Sequence, residues 1–292
     1  MTLVPSLDIV RASARARRGI GAFNVVHLET AEALVSASER VNRPVILQIS
    51  QNCVDFHGGL EPLATAVLSL ARSARTPVAV HLDHAERIEL VQEAIALGFG
   101  SVMFDGSALE DAANTERTRS VVRLAHAVGV AVEGEIGAIG GKGHPHDPGV
   151  RTSPEEAVRF VRETGVDTLA VAVGSTHAMA GRTASLDLAL IVDIRAALSE
   201  DLAGVGPVPL VLHGGSGVSD SILLSAIRAG MTKINVSTHL SGFFTRTIRK
   251  RLTSDEDVID SRKYIEPARE AVAVEAARMM TLFAAEGDPA AQ

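Results

Sequence analysis

Residues 78–105, VAVHLDHAERIELVQEAIALGFGSVMFD, contain the pattern that decides the fold. Two short apolar runs, 78–83 and 101–105, flank a stretch over 86–97 in which apolar residues recur with the period of a helix. Strand, helix and strand in this order form one βα unit of a parallel sheet. Both runs end on an aspartate, so the stretch also predicts polar groups at the carboxyl ends of the strands.

The same alternation continues in both directions along the chain. The candidate strands are 20–25, 45–50, 78–83, 101–105, 131–136, 168–173, 209–213 and 233–237. The candidate helices between them are 28–41, 61–74, 86–97, 154–164, 187–198, 219–229 and 239–252. Eight such strands predict an α/β fold, a single-domain (β/α)8 TIM barrel over residues 1–292, with an extra N-terminal helix at 6–18 and a C-terminal one at 266–286. The alternative, an open doubly wound sheet, lacks a GxGxxG motif after the first strand.

Composition favours a small-molecule enzyme. The 292 residues include 46% hydrophobic residues and no tryptophan, which suits a core of Ala, Val, Leu and Ile. A net charge of −7 gives no electrostatic reason to bind nucleic acid or an anionic membrane. The single cysteine, Cys53, excludes an intrachain disulfide and a multi-thiolate zinc site. Without a signal-like or membrane-spanning apolar segment, we expect a cytoplasmic protein.

Polar side chains lie at the ends of most predicted strands. They are Asn24, Ser50, Asp83, His84, Asp105, Glu133, Glu135, His177, His213 and Asn235. The carboxyl ends of barrel strands meet at one rim, where barrel enzymes have their active sites. Three of these residues are histidines, and three imidazoles around one cation with an open position form a common catalytic zinc site. Separate hydrogen-bonded rim histidines are the alternative.

Carboxylates surround this predicted site. Glu133 and Glu135 point to the same face of one strand, and Asp105 ends the adjacent strand. They could orient the histidines or hold a second cation. For Glu133 the alternative is a buried ion network without a catalytic part. His81 shares its face with Asp83, so a supporting role is open to it as well.

Two loops complete the predicted mouth of the barrel. HGGSG at 213–217 and NVST at 235–238 follow the last two strands, where backbone N–H groups at helix N-termini usually bind phosphate in barrels. A tight turn without a ligand is the alternative.

The segment 137–153, GAIGGKGHPHDPGVRTS, follows the fifth strand. Since long loops in compact domains tend to be functional, we expect a mobile active-site loop there.

The motifs HLDH at 81–84, GSTH at 174–177, LHGGSG at 212–217 and INVST at 234–238 stand in this order on those strands. Together they resemble the class II fructose- and tagatose-bisphosphate aldolases. The resemblance extends almost end to end, from GAFNV at 21–25 to RKYIEPARE at 262–270. It implies a metal-dependent, reversible retro-aldol cleavage of a phosphorylated ketose to dihydroxyacetone phosphate and an aldehyde.

The resemblance also implies roles for individual residues. His84, His177 and His213 would bind Zn²⁺, and Asp83 would be the acid/base at the C4 hydroxyl of the substrate. Asp105 and Glu135 would support the metal or bind it alternately. The remaining implied contacts are phosphate on Gly214, Ser216, Ser237 and Thr238, Arg182 in place of a lysine of the tagatose-type enzymes, and substrate on Asn24, Ser50 and Asn235. A monovalent cation, Na⁺ or K⁺, near Gly174 and Gly214 and a homodimer or homotetramer are further expectations.

The chain departs from the family pattern in its mobile loop. The glutamate expected to exchange the enediolate proton is missing from GKGHPHD at 141–147. Because imidazole titrates near neutrality, His144 or His146 could replace it; an exposed loop without a role is the alternative. Ala108 and Ala178 replace a histidine and a glycine of the pattern. These departures leave the substrate open among fructose, tagatose and a divergent ketose phosphate.

Other functions make different demands on the sequence. A non-catalytic partner or regulator of an aldolase would be favoured by loss of a ligand or of Asp83, and all are present. A barrel hydrolase with the same metal often carries an HxH pair on the first strand, which here reads GAFNV. A Schiff-base aldolase needs a lysine in the barrel mouth, and none of Lys142, Lys233, Lys250 and Lys263 ends a predicted strand there.

Overall fold

The computed structural model describes residues 2–137, 151–176, 181–201 and 208–285. Eight strands close into one barrel, each pairing in parallel with the next and the last with the first. They are β1 (Ile20–Asn24), β2 (Val45–Ser50), β3 (Val78–Ala85), β4 (Ser101–Phe104), β5 (Ala131–Ile136), β6 (Thr168–Val171), β7 (Leu210–Leu212) and β8 (Met231–Val236). The predicted (β/α)8 barrel is confirmed.

Helices cover the outside of the barrel. They are α1 (Ser6–Arg15), α2 (Leu28–Val41), α3 (Gln51–His57), α4 (Glu61–Ser73), α5 (Ile88–Leu97), α6 (Asp111–His126), α7 (Pro154–Thr164), α8 (Leu188–Asp201), α9 (Asp220–Ala229), α10 (Thr238–Ser254) and α11 (Arg262–Phe283). A short 3₁₀ turn spans Gly215–Gly217. Within the described ranges, no helix is long and apolar enough to cross a membrane.

Two terminal helices have different bounds from those predicted. The leading helix ends at Arg15 rather than residue 18, because Arg17 has a φ of 52°, in the left-handed region that ends a helix. The closing helix begins at Arg262, before the expected start at residue 266, so Pro267 lies inside the helix rather than in its first turn. Helices α3 and α6 were not among the predicted elements. Helix α3 has only seven residues and follows β2 directly, and α6 has a predominantly polar sequence.

The barrel interior changes from apolar to polar along its axis. Ile9 and Val10 of α1 pack against Ile20, Ala22 and Ile46 in a cluster separate from the main core. Helix α1 therefore closes the amino-terminal end of the barrel. Further along the strands the inward side chains are polar and buried, namely Gln48, His81, Glu133 and Lys233. The next inward position on each of these strands lies at the mouth, because strand side chains alternate with period two.

Candidate active site

The end of β3 brings two consecutive side chains into the site. The register between β3 and β4 shifts between Leu82 and Ala85, and His84 has a φ of 49°. Neighbouring residues of a regular strand point to opposite faces, whereas this irregularity lets Asp83 and His84 face the same cluster. A positive φ is uncommon outside glycine, and strained residues of this kind concentrate at functional sites.

Imidazoles and carboxylates converge at this rim. His84 Nδ1 lies 2.6 Å from Asp105 Oδ2, and His213 Nδ1 lies 3.1 Å from Glu135 Oε2. The two imidazole rings stand edge to face with centroids 4.5 Å apart. The potential ligand atoms of Asp83, His84 and His213 lie within 4.8 Å of one another, as do those of His84, Asp105 and Glu135. The rim therefore offers two overlapping sets of candidate metal ligands.

The electrostatics of the cluster fit a cation. Burial lowers the pKa of His213, but Glu133 and Glu135 outweigh this effect and raise it to about 9. Burial raises the pKa of Asp105, yet His84 and Ser107 hold it well below its ordinary value. Glu135 Oε2 is buried, and its 3.1 Å contact with His213 Nδ1 lacks the geometry of a hydrogen bond, so among the described residues this oxygen has no hydrogen-bond donor. A divalent metal with nitrogen and oxygen ligands would satisfy this donor set.

Asp83 is held by two amides. Asn24 Nδ2 donates to Asp83 Oδ2 at 2.9 Å, and Asn235 Nδ2 lies 3.4 Å from Asp83 Oδ1. Gln48 Nε2 donates in turn to Asn24 Oδ1 at 2.9 Å. Asp83 Oδ1 is 3.9 Å from His84 Nε2. A buried, oriented carboxylate therefore lies directly beside the candidate metal ligands.

Ser50 is level with Asp83 in the β2–β3 register, and its hydroxyl accepts from the Cys53 N–H in the first turn of α3.

The predicted phosphate residues form one compact loop pair. The Ser216 hydroxyl accepts the N–H groups of Ser237 at 3.0 Å and His239 at 3.2 Å, which joins the 3₁₀ turn to the start of α10. Ser237 is the N-cap of α10 and Thr238 is its first residue. Gly214 has a φ of 69°, and a Cβ there would lie 2.6 Å from the Thr176 carbonyl oxygen. Glycine is therefore required at this position.

Arg182 lies beside this turn and is already paired. Its Nε donates to the Val218 carbonyl oxygen at 2.7 Å, and its Nη1 lies 2.6 Å from Asp220 Oδ1. Its Nη2 is buried and has no hydrogen-bond partner among the described residues. The guanidinium is therefore held in a fixed orientation by Val218 and Asp220.

Several predicted residues lie outside the described ranges: His144 and His146 of the loop, and His177. The described residues Ser175 and Thr176 lead to His177, and Thr176 lies against Gly214. At the expected monovalent-cation position, Gly174 has a φ of 110°, and a Cβ there would lie 3.2 Å from Arg151 Nη2. A guanidinium thus approaches the place where Na⁺ or K⁺ was expected.

Lys233 was not predicted as a site residue. The structure places its Nζ inside the barrel, 2.8 Å from Glu133 Oε2. Gln48, which holds Asn24, was also missed. Period two on the strands was the available signal, since residue 233 shares a face with Asn235 and residue 48 with Ser50.

The described strands form a closed parallel barrel, and imidazoles and carboxylates converge at their carboxyl ends. This is the arrangement of a barrel enzyme with a candidate metal site at the rim where such enzymes have their active sites. The family described as fructose-bisphosphate aldolase class-II matches residues 4–288. The chain belongs to this family, which confirms the resemblance inferred from the motifs.

Individual relatives match over nearly the full chain. The fructose-bisphosphate aldolase of Geobacillus stearothermophilus is 36% identical over 294 residues, covering 99% of this chain and 100% of the relative. The 6-phospho-5-dehydro-2-deoxy-D-gluconate aldolase of Halalkalibacterium halodurans is 36% identical over 275 residues, covering 93% of each chain. The crystal structure of the YdjI aldolase from Escherichia coli K12 aligns with a TM-score of 0.81 at 29% identity over 98% of both chains. Relatives with different named substrates thus match at equal identity.

Proposed function

We propose that this class II aldolase is a zinc-dependent aldehyde-lyase that reversibly cleaves a phosphorylated ketose to dihydroxyacetone phosphate and an aldehyde. The observation that carries the proposal is the placement of Asp83. Its carboxylate is held by Asn24 and Asn235 and lies beside His84 within the cluster that also contains His213. A non-catalytic barrel would have no need for this arrangement.

His84, His177 and His213 would hold the ion, with Asp105 and Glu135 orienting the imidazoles or acting as alternate ligands. The described donors fit zinc because imidazole nitrogen and carboxylate oxygen are ligands that it commonly takes. Bound there, the ion supplies a Lewis acid that polarises the ketone carbonyl. A Schiff-base route is disfavoured because Lys233, the buried lysine of the described barrel, is paired with Glu133.

Asp83 moves the proton of the reaction. Its carboxylate takes the C4 hydroxyl proton while the C3–C4 bond breaks, so that the oxygen lone pair forms the aldehyde carbonyl and the bonding pair stays with C3. In the reverse direction it returns the proton to the new hydroxyl. The two amide contacts keep its oxygens in place as acceptors. Asn24, Ser50 and Asn235 would contact the substrate around this group.

The turn after β7 and the start of α10 would bind the phosphate next to the ketone. Gly214, Ser216, Ser237 and Thr238 would present backbone and hydroxyl groups there. Arg182 lies beside them, and its buried Nη2 has no hydrogen-bond partner among the described residues. This binding energy would fix the reacting carbons relative to Asp83. Unphosphorylated ketoses would therefore be poor substrates.

We also propose that the protein is a homodimer or homotetramer, as the resemblance to the family implies. Light scattering of the purified protein would test this oligomeric state.

The decisive experiment is a retro-aldol screen of ketose phosphates with metal analysis of the same sample. The phosphates of fructose and tagatose should be included, together with the keto-acid phosphate in the name of the Halalkalibacterium relative.

The Asp83→Asn variant tests the role of the carboxylate. It should retain metal and lose cleavage by about two or more decades. Asp193→Asn, an exposed carboxylate on α8, is the matched control. Turnover by Asp83→Asn equal to that of the control would eliminate the mechanism.

The base that exchanges the enediolate proton remains a separate prediction, because His144 and His146 lie outside the described residues. Proton exchange from dihydroxyacetone phosphate should be measured in His144→Ala, His146→Ala and the double variant. Selective loss of exchange with retained metal would support one histidine. Unchanged exchange in all three variants would leave the role to another group.

A further inference from the structure

A buried lysine stands one step behind the candidate metal ligand His213. His213 Nε2 lies 3.0 Å from Glu133 Oε1, and Lys233 Nζ lies 2.8 Å from Glu133 Oε2. The three side chains are at most 3% exposed. Burying an ion pair is costly, and neither Glu133 nor Lys233 belongs to the catalytic machinery described above. The cost of burying the Glu133–Lys233 pair therefore indicates that it has a function.

The contacts of Lys233 determine which atoms donate hydrogens. An ammonium has hydrogens and no acceptor, so Glu133 Oε2 accepts from Lys233 and the carboxylate is an acceptor on both oxygens. The proton between Glu133 Oε1 and His213 Nε2 then resides on the nitrogen. The other ring nitrogen of His213, Nδ1, lies 3.1 Å from Glu135 Oε2. Nδ1 is thus the ring atom that faces the metal ligands.

The other side of Lys233 is held by a chain of hydrogen bonds with a consistent direction. Lys233 Nζ lies 3.4 Å from His81 Nε2, and His81 Nδ1 lies 2.6 Å from Ser101 Oγ. Ser101 Oγ donates in turn to Ser6 Oγ of α1 at 2.7 Å. An ammonium can only donate, so His81 Nε2 accepts from Lys233 Nζ. His81 then carries its hydrogen on Nδ1 and donates it to Ser101 Oγ, so every contact has one donor and one acceptor. The ammonium is fixed between this chain and Glu133.

We propose that Lys233 is a positioning residue of the metal centre. Its ammonium holds the Glu133 carboxylate in the orientation that accepts from His213 Nε2, and this contact presents Nδ1 to the ion. Outer groups that orient a metal-bound histidine in this way typically change metal affinity by about 10- to 100-fold when removed. The inference rests on the proposed metal site but concerns residues that need not touch the ion or the substrate.

The test requires variants that remain folded. Lys233→Met leaves Glu133 buried without its counter-charge, so the double variant Lys233→Met with Glu133→Gln removes both charges and keeps an amide oxygen as acceptor. Thr232→Val is the matched control, because Thr232 is buried on the same strand and faces away from the barrel interior. Circular dichroism of the metal-free proteins establishes folding.

Two readouts then separate positioning from a purely structural role. Zinc affinity is measured by competition with a chromogenic chelator, and ligand geometry by the visible spectrum of the cobalt-substituted protein. We expect the folded double variant to bind zinc about 10- to 100-fold more weakly and to show displaced cobalt bands, whereas Thr232→Val matches the wild type. If the folded double variant had the zinc affinity and cobalt spectrum of the wild type, the positioning role of Lys233 would be refuted and the proposed metal centre would be unaffected. A wild-type protein that binds neither ion would overturn the metal centre itself.

Discussion

Replacing Gly214 by alanine tests the geometry of the candidate phosphate loop. The φ of 69° places this residue in the left-handed region, where an L-residue is destabilised by about 1–2 kcal/mol. The added Cβ would lie 2.6 Å from the Thr176 oxygen, 2.9 Å from its carbonyl carbon and 3.1 Å from its nitrogen. All three are backbone atoms, so the clash cannot be relieved by turning a side chain.

Gly58 provides the matched control. Its φ is 74°, nearly that of Gly214, but a Cβ there meets nothing within 4 Å. Gly58→Ala should therefore show the backbone strain alone, about 1–2 kcal/mol. Gly214→Ala adds overpacking of about 1–3 kcal/mol, for a sum of about 2–5 kcal/mol. At roughly 2 °C for each kcal/mol, Tm should fall by about 2–4 °C in the control and about 4–10 °C in the test variant.

The same displacement should affect function in one variant only. Thr176 precedes the proposed ligand His177, and Gly214 follows His213, so pushing these backbones apart should weaken metal binding and raise KM for the phosphorylated substrate. Differential scanning fluorimetry, chelator competition and steady-state kinetics would measure the three effects. If Gly214→Ala and Gly58→Ala gave equal Tm, metal affinity and KM, the argument from the Thr176 contact would be wrong.

Three further predictions concern separate parts of the molecule. Chelation should abolish cleavage, and added zinc or cobalt should restore it; activity that survives complete removal of metal would exclude the proposed mechanism. Arg182→Gln should raise KM about 5- to 30-fold with metal content unchanged, as expected for loss of a charged hydrogen bond worth about 1–2 kcal/mol, while an unaltered KM would remove Arg182 from the phosphate site. Burial raises the pKa of Glu275, but Arg278 and His239 outweigh it and hold this pKa at about 2, against an ordinary value of 4.5. A depressed folded pKa stabilises the protein above pH 4.5, and this contribution, about 1–3 kcal/mol, is lost as the pH falls from 4.5 towards 2. Glu275→Gln should therefore lower Tm at pH 7, with a difference from wild type that narrows below pH 4.5; a gap of constant size across this range would contradict the assignment.

Much of the fold follows from local patterns in the sequence. The predicted strands 45–50 and 131–136 match β2 and β5 at both ends, and the predicted helices 28–41 and 154–164 match α2 and α7. Period two and period 3.6 in hydrophobicity are properties of neighbouring residues, so they can be read without knowing what packs against them. Helix α6 was not predicted because its sequence is mostly polar and shows too few apolar residues at helical spacing.

The residue types of the candidate site were also available from the sequence, since polar groups at strand ends are conspicuous among apolar runs. Their contacts were not. The Glu133–His213 and Glu133–Lys233 contacts join residues 80 and 100 positions apart. Which inward side chains lie at one height depends on strand register around the closed ring, and the φ of 49° at His84 depends on the β3–β4 irregularity. Periodicity predicted which residues face inward, whereas closure of the barrel decided that Lys233 would lie behind a candidate metal ligand, because only closure sets the distances between side chains on different strands.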